Sequence, residues 1–269
     1  MYRSILFVPG NRPDRFEKAC SSGADFVCID LEDAVAIQDK DHARREVLKF
    51  LSDTSHNHVS LRVNAPDTDI FEADISALAY SNLKLPFIMI PKVGQIEDIH
   101  RVDAALPESQ GPILALIESA IGLVNCESIL SHPRVKFAMY GAVDFAGELG
   151  CGPEWENHLY ARSRLVAACT AFDVTLFDTP YINVKDAEGL KTETLKSRSL
   201  GIFARAAIHP AQIETIHTAL KPTEMEVEQA QRTVDAYDKS DGNVALLDGK
   251  MIEIPVIKSA RLVLERAKA

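Results

Sequence analysis

The sequence predicts a (β/α)8 barrel of the TIM type, followed by a C-terminal extension made of helices and a hairpin. Three observations predict it. Eight short apolar runs recur along the chain, stretches with helical signals separate them, and the runs lack the polar alternation of half-exposed strands. Runs of that kind suit strands buried on both faces of a parallel sheet. A chain of 269 residues can hold eight such units in one domain. An open doubly wound sheet uses the same alternation of elements and is the alternative. The expected division is a barrel over 1–220 and an extension over 221–269.

The expected strands are "SILFV" (4–8), "FVCID" (26–30), "VSLRV" (59–63), "FIMIP" (87–91), "ILALI" (113–117), "KFAMY" (136–140), "VTLFD" (174–178) and "IFARAAI" (202–208). After the first, "RPDRFEKACSSG" has Pro13 early, an apolar face of Phe16, Ala19 and Cys20, and Gly23 as a stop. Before the seventh, "ENHLYARSRLVAACTAF" spaces Leu159, Ser163, Val166 and Thr170 along one helical face. In the extension, Thr223 with Glu226 three residues on reads as a capping box. "VALLDGKMIEIP" reads as a hairpin turning at Asp248-Gly249, and Pro255 opens a last helix. This is more chain than closing a barrel requires.

A barrel gathers its chemistry at the carboxyl ends of the strands. The residues expected there are Asn11 and Arg12 after the first strand, Asp30, Glu32 and Asp33 after the second, and Arg62 and Asn64 after the third. Lys92, Glu118, Asp144, Asp178 and His209 follow the remaining five. Strand ends are polar simply because they approach water. That explains poorly why Arg62 and Glu118 follow directly on apolar runs.

Glu118 and Asp144 end neighbouring strands, and two close carboxylates repel unless one is protonated or a cation lies between them. Mg2+ takes oxygen ligands, accepts one or two protein carboxylates and leaves positions for water and substrate. The competing possibility is that both carboxylates simply pair with Arg62 and Lys92. With an ion present, Arg62 could hold a substrate carboxylate through its two-pronged guanidinium face. The ion would take one carboxylate oxygen and the adjacent carbonyl or hydroxyl of a 2-oxo or 2-hydroxy acid. Such a site stabilises an enolate or alkoxide, the requirement of carbon–carbon cleavage or condensation.

Composition limits the alternatives. A net charge of −10 argues against a general nucleic-acid or membrane-surface binder. No apolar run is long enough to cross a bilayer, and "MYRSILFVPGNRPDRF" lacks the features of a signal peptide. Five scattered cysteines without a C-x-x-C pair read as free thiols in a reducing cytoplasm, and argue against a structural zinc site. A basic cluster of Arg3, Arg12, Arg15 and Lys18 is either a set of solvated helix charges or a phosphate site. Without a Walker A or Rossmann glycine pattern, such phosphates would not be those of a typical triphosphate or dinucleotide.

Taken together and in order, "RSILFVPGNRPDRFEKA", "GADFVCIDLEDAV", "LRVNAP", "IPKV", "ALIESAIGLVN", "GAVDFAGELG", "FDTPYINVKD", "ARAAIHPAQI" and "DGKMIEIPVIKSAR" span nearly the whole chain. They resemble the citrate lyase β-subunit-like family of the HpcH/HpaI aldolase superfamily. The resemblance implies a (β/α)8 barrel that binds Mg2+ and acts on acyl thioesters of coenzyme A or of an acyl carrier protein. It implies Glu118 and Asp144 as metal ligands and Arg62 as the binder of the substrate carboxylate. Phe7, Arg12 and Lys18, with Ile208 and His209, would contact the coenzyme A portion or ligand. Asp33 would support the ion through its waters. The family brings an acidic residue, commonly Asp, from a neighbouring subunit's C-terminal segment over the acyl carbon. Here "GKMIE" offers Glu253, one methylene longer. The implied activity is cleavage of a 3-hydroxy-3-carboxyacyl-CoA such as (S)-citramalyl-CoA to pyruvate and acetyl-CoA, in a homo-oligomer expected to be a trimer. Malyl-CoA lyase or thioesterase action, citryl-thioester cleavage and an aldolase acting on free acids are the alternatives.

Overall fold

The computed structural model describes residues 2–239 and 245–268. The chain divides into two compact units, one over Tyr2–Ile216 and one from His217 onward. In the first, eight parallel strands close into a barrel in sequence order. They are β1 (Ser4–Pro9), β2 (Phe26–Asp30), β3 (Val59–Arg62), β4 (Ile88–Ile90), β5 (Ile113–Ile117), β6 (Val135–Tyr140), β7 (Thr175–Asp178) and β8 (Ala204–Ala207). All eight expected strands form, and their ends differ from the expected ones by up to two residues. The barrel replaces the open-sheet alternative because β8 pairs with β1, Ser4 opposite Arg205 and Leu6 opposite Ala207.

Helices return the chain between strands, and one more follows β8. They are α1 (Phe16–Cys20), α2 (Lys40–Asp53), α3 (Asp69–Ser81), α4 (Ile96–Ala105), α5 (Ala120–Val124), α6 (Cys126–Leu130), α7 (Ala142–Leu149), α8 (Leu159–Ala171), α9 (Ala187–Leu200) and α10 (Ile213–Leu220). Phe16, Ala19 and Cys20 of α1 are buried, the apolar face the sequence predicts. On α8 the expected stripe is not the packed one. Ala161, Arg162, Leu165, Ala168 and Cys169 turn inward, while Leu159, Ser163 and Thr170 are exposed. The reason is Arg162, whose Nε donates to the fully buried Asp178 at 2.9 Å. An unpaired carboxylate there would be costly, so the buried ion pair sets the helix rotation.

Inside the barrel, side chains from alternate strand positions fill the bore. Ile5, Phe26, Cys28, Phe87, Met89, Leu114, Leu116, Phe137, Met139, Phe177, Ala204 and Ala206 form one buried cluster. Three phenylalanines pack on one another near its amino end, Phe26 against Phe87 at 5.2 Å and against Phe137 at 5.8 Å between ring centroids. Rings of this size plug the bore. Any opening must then lie at the carboxyl ends.

In the second unit, α11 (Glu224–Asp238) starts at the expected capping box. Thr223 Oγ1 accepts from the Glu226 amide at 3.2 Å, and the Thr223 amide donates back to Glu226 Oε2 at 2.7 Å. β9 (Ala245–Leu247) and β10 (Lys250–Ile252) form the antiparallel hairpin. Val244, the first residue of the expected hairpin, lies outside the described residues. Asp248 and Gly249 both take positive φ, 50° and 74°, as a tight two-residue turn requires. α12 (Ile254–Lys268) follows with Pro255 in its first turn. Ile252 and Ile257 form a small core with Ala236, Tyr237 and Leu247.

Candidate active site

The barrel's inward alternation, carried one step past the strand ends, builds a pocket. Phe26 and Cys28 point into the bore, and Asp30 is next on that side. Leu114 and Leu116 lead to Glu118, Phe137 and Met139 to Gly141, and Ala204 and Ala206 to Ile208. Asp30, Glu118, Gly141 and Ile208, with Phe7 and Arg62, line one pocket of about 440 Å³. Asp33 joins from the loop after β2 and Asp144 from the first turn of α7.

Arg62 and Asp30 are register partners on adjacent strands. The guanidinium turns its fork on that neighbour: Nε donates to Oδ1 and Nη2 to Oδ2, each at 2.7 Å. Nη1 stands 3.1 Å from Glu32 Oε2 and 3.7 Å from Asp33 Oδ2. The Phe7 ring packs 5.1 Å beneath the guanidinium carbon. Burial disfavours the Arg62 charge, but Asp30's charge and hydrogen bonds outweigh it and hold the group above its ordinary pKa. Burial likewise works against the Asp30 charge, and the Arg62 contacts keep that carboxyl below the usual range. The expectation that Arg62 grips a substrate carboxylate with its fork therefore changes. That face is spent on Asp30, because two charged strand ends adjacent in register meet first. Arg62 offers the pocket a fixed positive charge and its Nη1 edge.

Glu118 is 3% exposed and accepts the Lys92 backbone N–H at 2.8 Å on Oε1. Lys92 aims that N–H from φ +52°, a conformation that a non-glycine residue seldom adopts. Its ammonium goes elsewhere, donating to Glu32 Oε1 at 2.7 Å. Among the described residues, the ion pairs of Arg62 and Lys92 run to Asp30, Glu32 and Asp33. Glu118 and Asp144 thus form no ion pair with those two cations, although the Arg62 charge still favours the ionised Glu118. Burial first, and then the negative charge of Asp144, push the Glu118 carboxyl up to about 8. A Cβ on Gly141 would lie 2.5 Å from Glu118 Cβ and 2.6 Å from Oε2, so only glycine leaves that carboxylate its seat. Two hard oxygen donors line one pocket, and one of them resists ionising because it is buried and because of the other's charge. That donor set fits Mg2+.

The remaining expected residues are placed differently. Arg12 and Lys18 are exposed on the segment after β1 and do not line the pocket. Arg12 is engaged by Asp14, Nε to Oδ1 at 2.9 Å and Nη2 to Oδ2 at 2.7 Å. His209 is also outside the lining, and its Nδ1 accepts the Ala211 amide at 3.2 Å. Asn64 is buried on Asp74, and Asp178 belongs to the buried pair with Arg162. Glu253 is in the second unit, exposed just before α12. Sequence reasoning missed two features of the site, the Gly141 seat and the Lys92 amide. It placed Asp30 on the rim without pairing it to Arg62, although both residues end neighbouring strands.

The sequence model of the HpcH/HpaI aldolase/citrate lyase family matches residues 3–210. The chain belongs to that family. Among its members, a (3S)-malyl-CoA thioesterase of Cereibacter sphaeroides is 36% identical over 275 residues, covering 100% of this chain and 95% of the relative. An L-malyl-CoA/beta-methylmalyl-CoA lyase of the same species is 33% identical over 300 residues, covering 99% of this chain and 94% of the relative. Among solved structures, CitE from Mycobacterium tuberculosis in complex with magnesium, acetoacetate and coenzyme A superimposes with a TM-score of 0.88 at 28% identity. It covers 100% of this chain and 98% of that one. Among the described residues, no helix is long and apolar enough to cross a membrane.

Proposed function

We propose that this chain is a Mg2+-dependent carbon–carbon lyase acting on a 3-hydroxy-3-carboxyacyl-CoA such as (S)-citramalyl-CoA. The observation that carries this reading is the buried Glu118, which shares one pocket with Asp144, forms no ion pair with Arg62 or Lys92 among the described residues and is pushed up to about 8. Glu118 and Asp144 would hold the ion, with Asp33 supporting it through waters. When bound, Mg2+ supplies a Lewis acid for the oxygens of the hydroxy-acid end. Arg62, locked by Asp30 and unable to lose its proton, sets a permanent positive charge beside the substrate carboxylate.

In the reaction the 3-hydroxyl gives its proton to water, and as the 2-oxo group forms the C2–C3 bond breaks. Its electron pair passes into the thioester enolate, leaving a 2-oxo acid. Protonation of the enolate carbon then gives acetyl-CoA. Glu253 of a neighbouring copy, or water, would deliver that proton, and sharing of sites between copies would make the active assembly an oligomer, expected to be a trimer. Phe7 and Ile208 line the pocket and would contact the substrate where the acyl chain meets coenzyme A, and Arg12, Lys18 and His209 would contact the rest of the coenzyme A. The cysteines are all free, which supports a reducing compartment, the cytoplasm.

A second reading, hydrolysis of the malyl thioester, draws support from the 36% identical relative. A panel of malyl-, citramalyl- and citryl-CoA with Mg2+ tests the proposal. Release of a 2-oxo acid from one of them supports a lyase. A panel without 2-oxo acid in which free thiol accumulates would replace it with the thioesterase.

A further inference from the structure

The barrel carries a second cluster of ligating side chains, chemically unlike the pocket. Cys20 is the last residue of α1 and is buried. His56 and His58 lie two residues apart in the connection between α2 and β3, both half-buried. Among the described residues, this is the one group of three Cys, His, Asp or Glu side chains that each offer a ligand atom within 4.8 Å of the others. It lies at the amino ends of the strands, since His58 immediately precedes β3. The pocket lies at the carboxyl ends, so the two sites are separate.

The backbone beneath the cluster is fixed. The His58 carbonyl accepts the Val27 amide at 3.0 Å, and the His56 amide donates to Thr54 Oγ1 at 3.2 Å. The two imidazoles meet edge to face at 5.4 Å between centroids. His58 Nε2 is 3.3 Å from the Cys20 carbonyl oxygen, and His56 Nε2 is 3.1 Å from Glu17 Oε2. Partners of this kind, a backbone carbonyl and a carboxylate, are what orient imidazoles around metal ions.

We propose that Cys20, His56 and His58 form a binding site for a zinc-class transition-metal ion, with Glu17 as the carboxylate that orients His56 and water left to complete the set. A thiol and two imidazoles select zinc, cobalt or copper over Mg2+. In a tetrahedral zinc site the ligand atoms stand about 3.5 Å apart. A group already within 4.8 Å closes to that spacing by side-chain rotation of about 1 Å. The bound ion would tie the end of α1 to the start of β3, on the face of the barrel that serves stability. The scattering of cysteines in the sequence hides this arrangement. Its thiol and its His-x-His pair are brought together only when α1 and the start of β3 pack side by side.

Cobalt binding tests the site. The full-length protein, stripped with a chelator, is titrated with Co2+. The expected result is a thiolate-to-cobalt charge-transfer band with tetrahedral visible bands, saturating at one ion per chain and displaced by Zn2+. Cys20→Ser should lose the charge-transfer band, whereas Cys151→Ser, which alters the half-buried thiol elsewhere, should keep it. His56→Gln and His58→Gln should each weaken cobalt binding by about tenfold or more, since even the loss of a group that only orients a ligand costs about that much. These two also decide the matter if Cys20→Ser does not fold. No charge-transfer band in the wild type, the same band in Cys20→Ser, or unchanged affinity in both histidine variants would overturn the proposal.

Discussion

The Glu118 proton should compete with Mg2+. In the metal-free protein Glu118 is raised from an ordinary value near 4.5 to about 8, by burial first and by Asp144 second. An ion that needs the carboxylate must displace that proton. At pH 7 the protonated form outnumbers the ionised form by about tenfold, so the apparent Mg2+ affinity should rise about tenfold per pH unit up to about 8 and then level. The same shift has a stability consequence of definite sign. Between pH 4.5 and about 8 the folded chain keeps a proton that the unfolded chain has lost. The stabilisation is full below 4.5 and disappears as pH climbs through the window, by at most roughly 5 kcal/mol. Saturating Mg2+ at pH 8 should restore stability. Asp144→Asn removes the second cause of the shift, so the metal-free stability loss should end at a lower pH. Calorimetric Mg2+ titrations at several pH values, with thermal unfolding of the metal-free protein in the same buffers, read all of this. Mg2+ affinity independent of pH between 6 and 8 would refute the reasoning, as would an unchanged stability profile in Asp144→Asn.

Three further outcomes follow from the geometry. Arg62→Lys keeps a charge but cannot fork onto Asp30, so it should lose about 1–3 kcal/mol of stability as well as about tenfold or more in kcat/KM; denaturant unfolding that matches the wild type would show the fork to be dispensable. Gly141→Ala forces a Cβ to 2.5 Å from Glu118 Cβ, so it should lower Mg2+ affinity and kcat/KM by about tenfold or more with the circular dichroism spectrum retained, and wild-type kinetics would mean that Glu118 moves aside harmlessly. For the shared site, mixing Glu118→Gln with Glu253→Ala, each inactive alone, should restore part of the activity once subunit exchange is verified with differently tagged chains. Verified exchange without recovery would remove Glu253 from the chemistry of a neighbouring copy.

The strands were legible because each is a short, mostly apolar run with a charged or polar group at its end or in the loop just after it, and two of them, Phe26–Asp30 and Ile113–Ile117, match the expected limits residue for residue. The polar rim was legible for the same reason. What each rim group does was less so, since pairing depends on strand register. Asp30 opposite Arg62 converts an expected ligand fork into an internal ion pair, and Asp178 disappears into the interior with Arg162. The packed face of α8 was misjudged because a buried arginine reads as polar in any apolar pattern. Gly141 carried no signal in one dimension, as its role is the space it leaves for a side chain from the neighbouring strand. The Cys20, His56 and His58 cluster was invisible for a related reason: residues far apart in sequence become neighbours where α1 and the start of β3 pack together.

The most direct test of the account is a product balance on whichever acyl-CoA of the panel turns over, with Mg2+ and again with excess EDTA. The expected result is one 2-oxo acid for each acetyl-CoA, no free coenzyme A thiol, and loss of turnover in EDTA. Free thiol without 2-oxo acid, or turnover undiminished by EDTA, would contradict it.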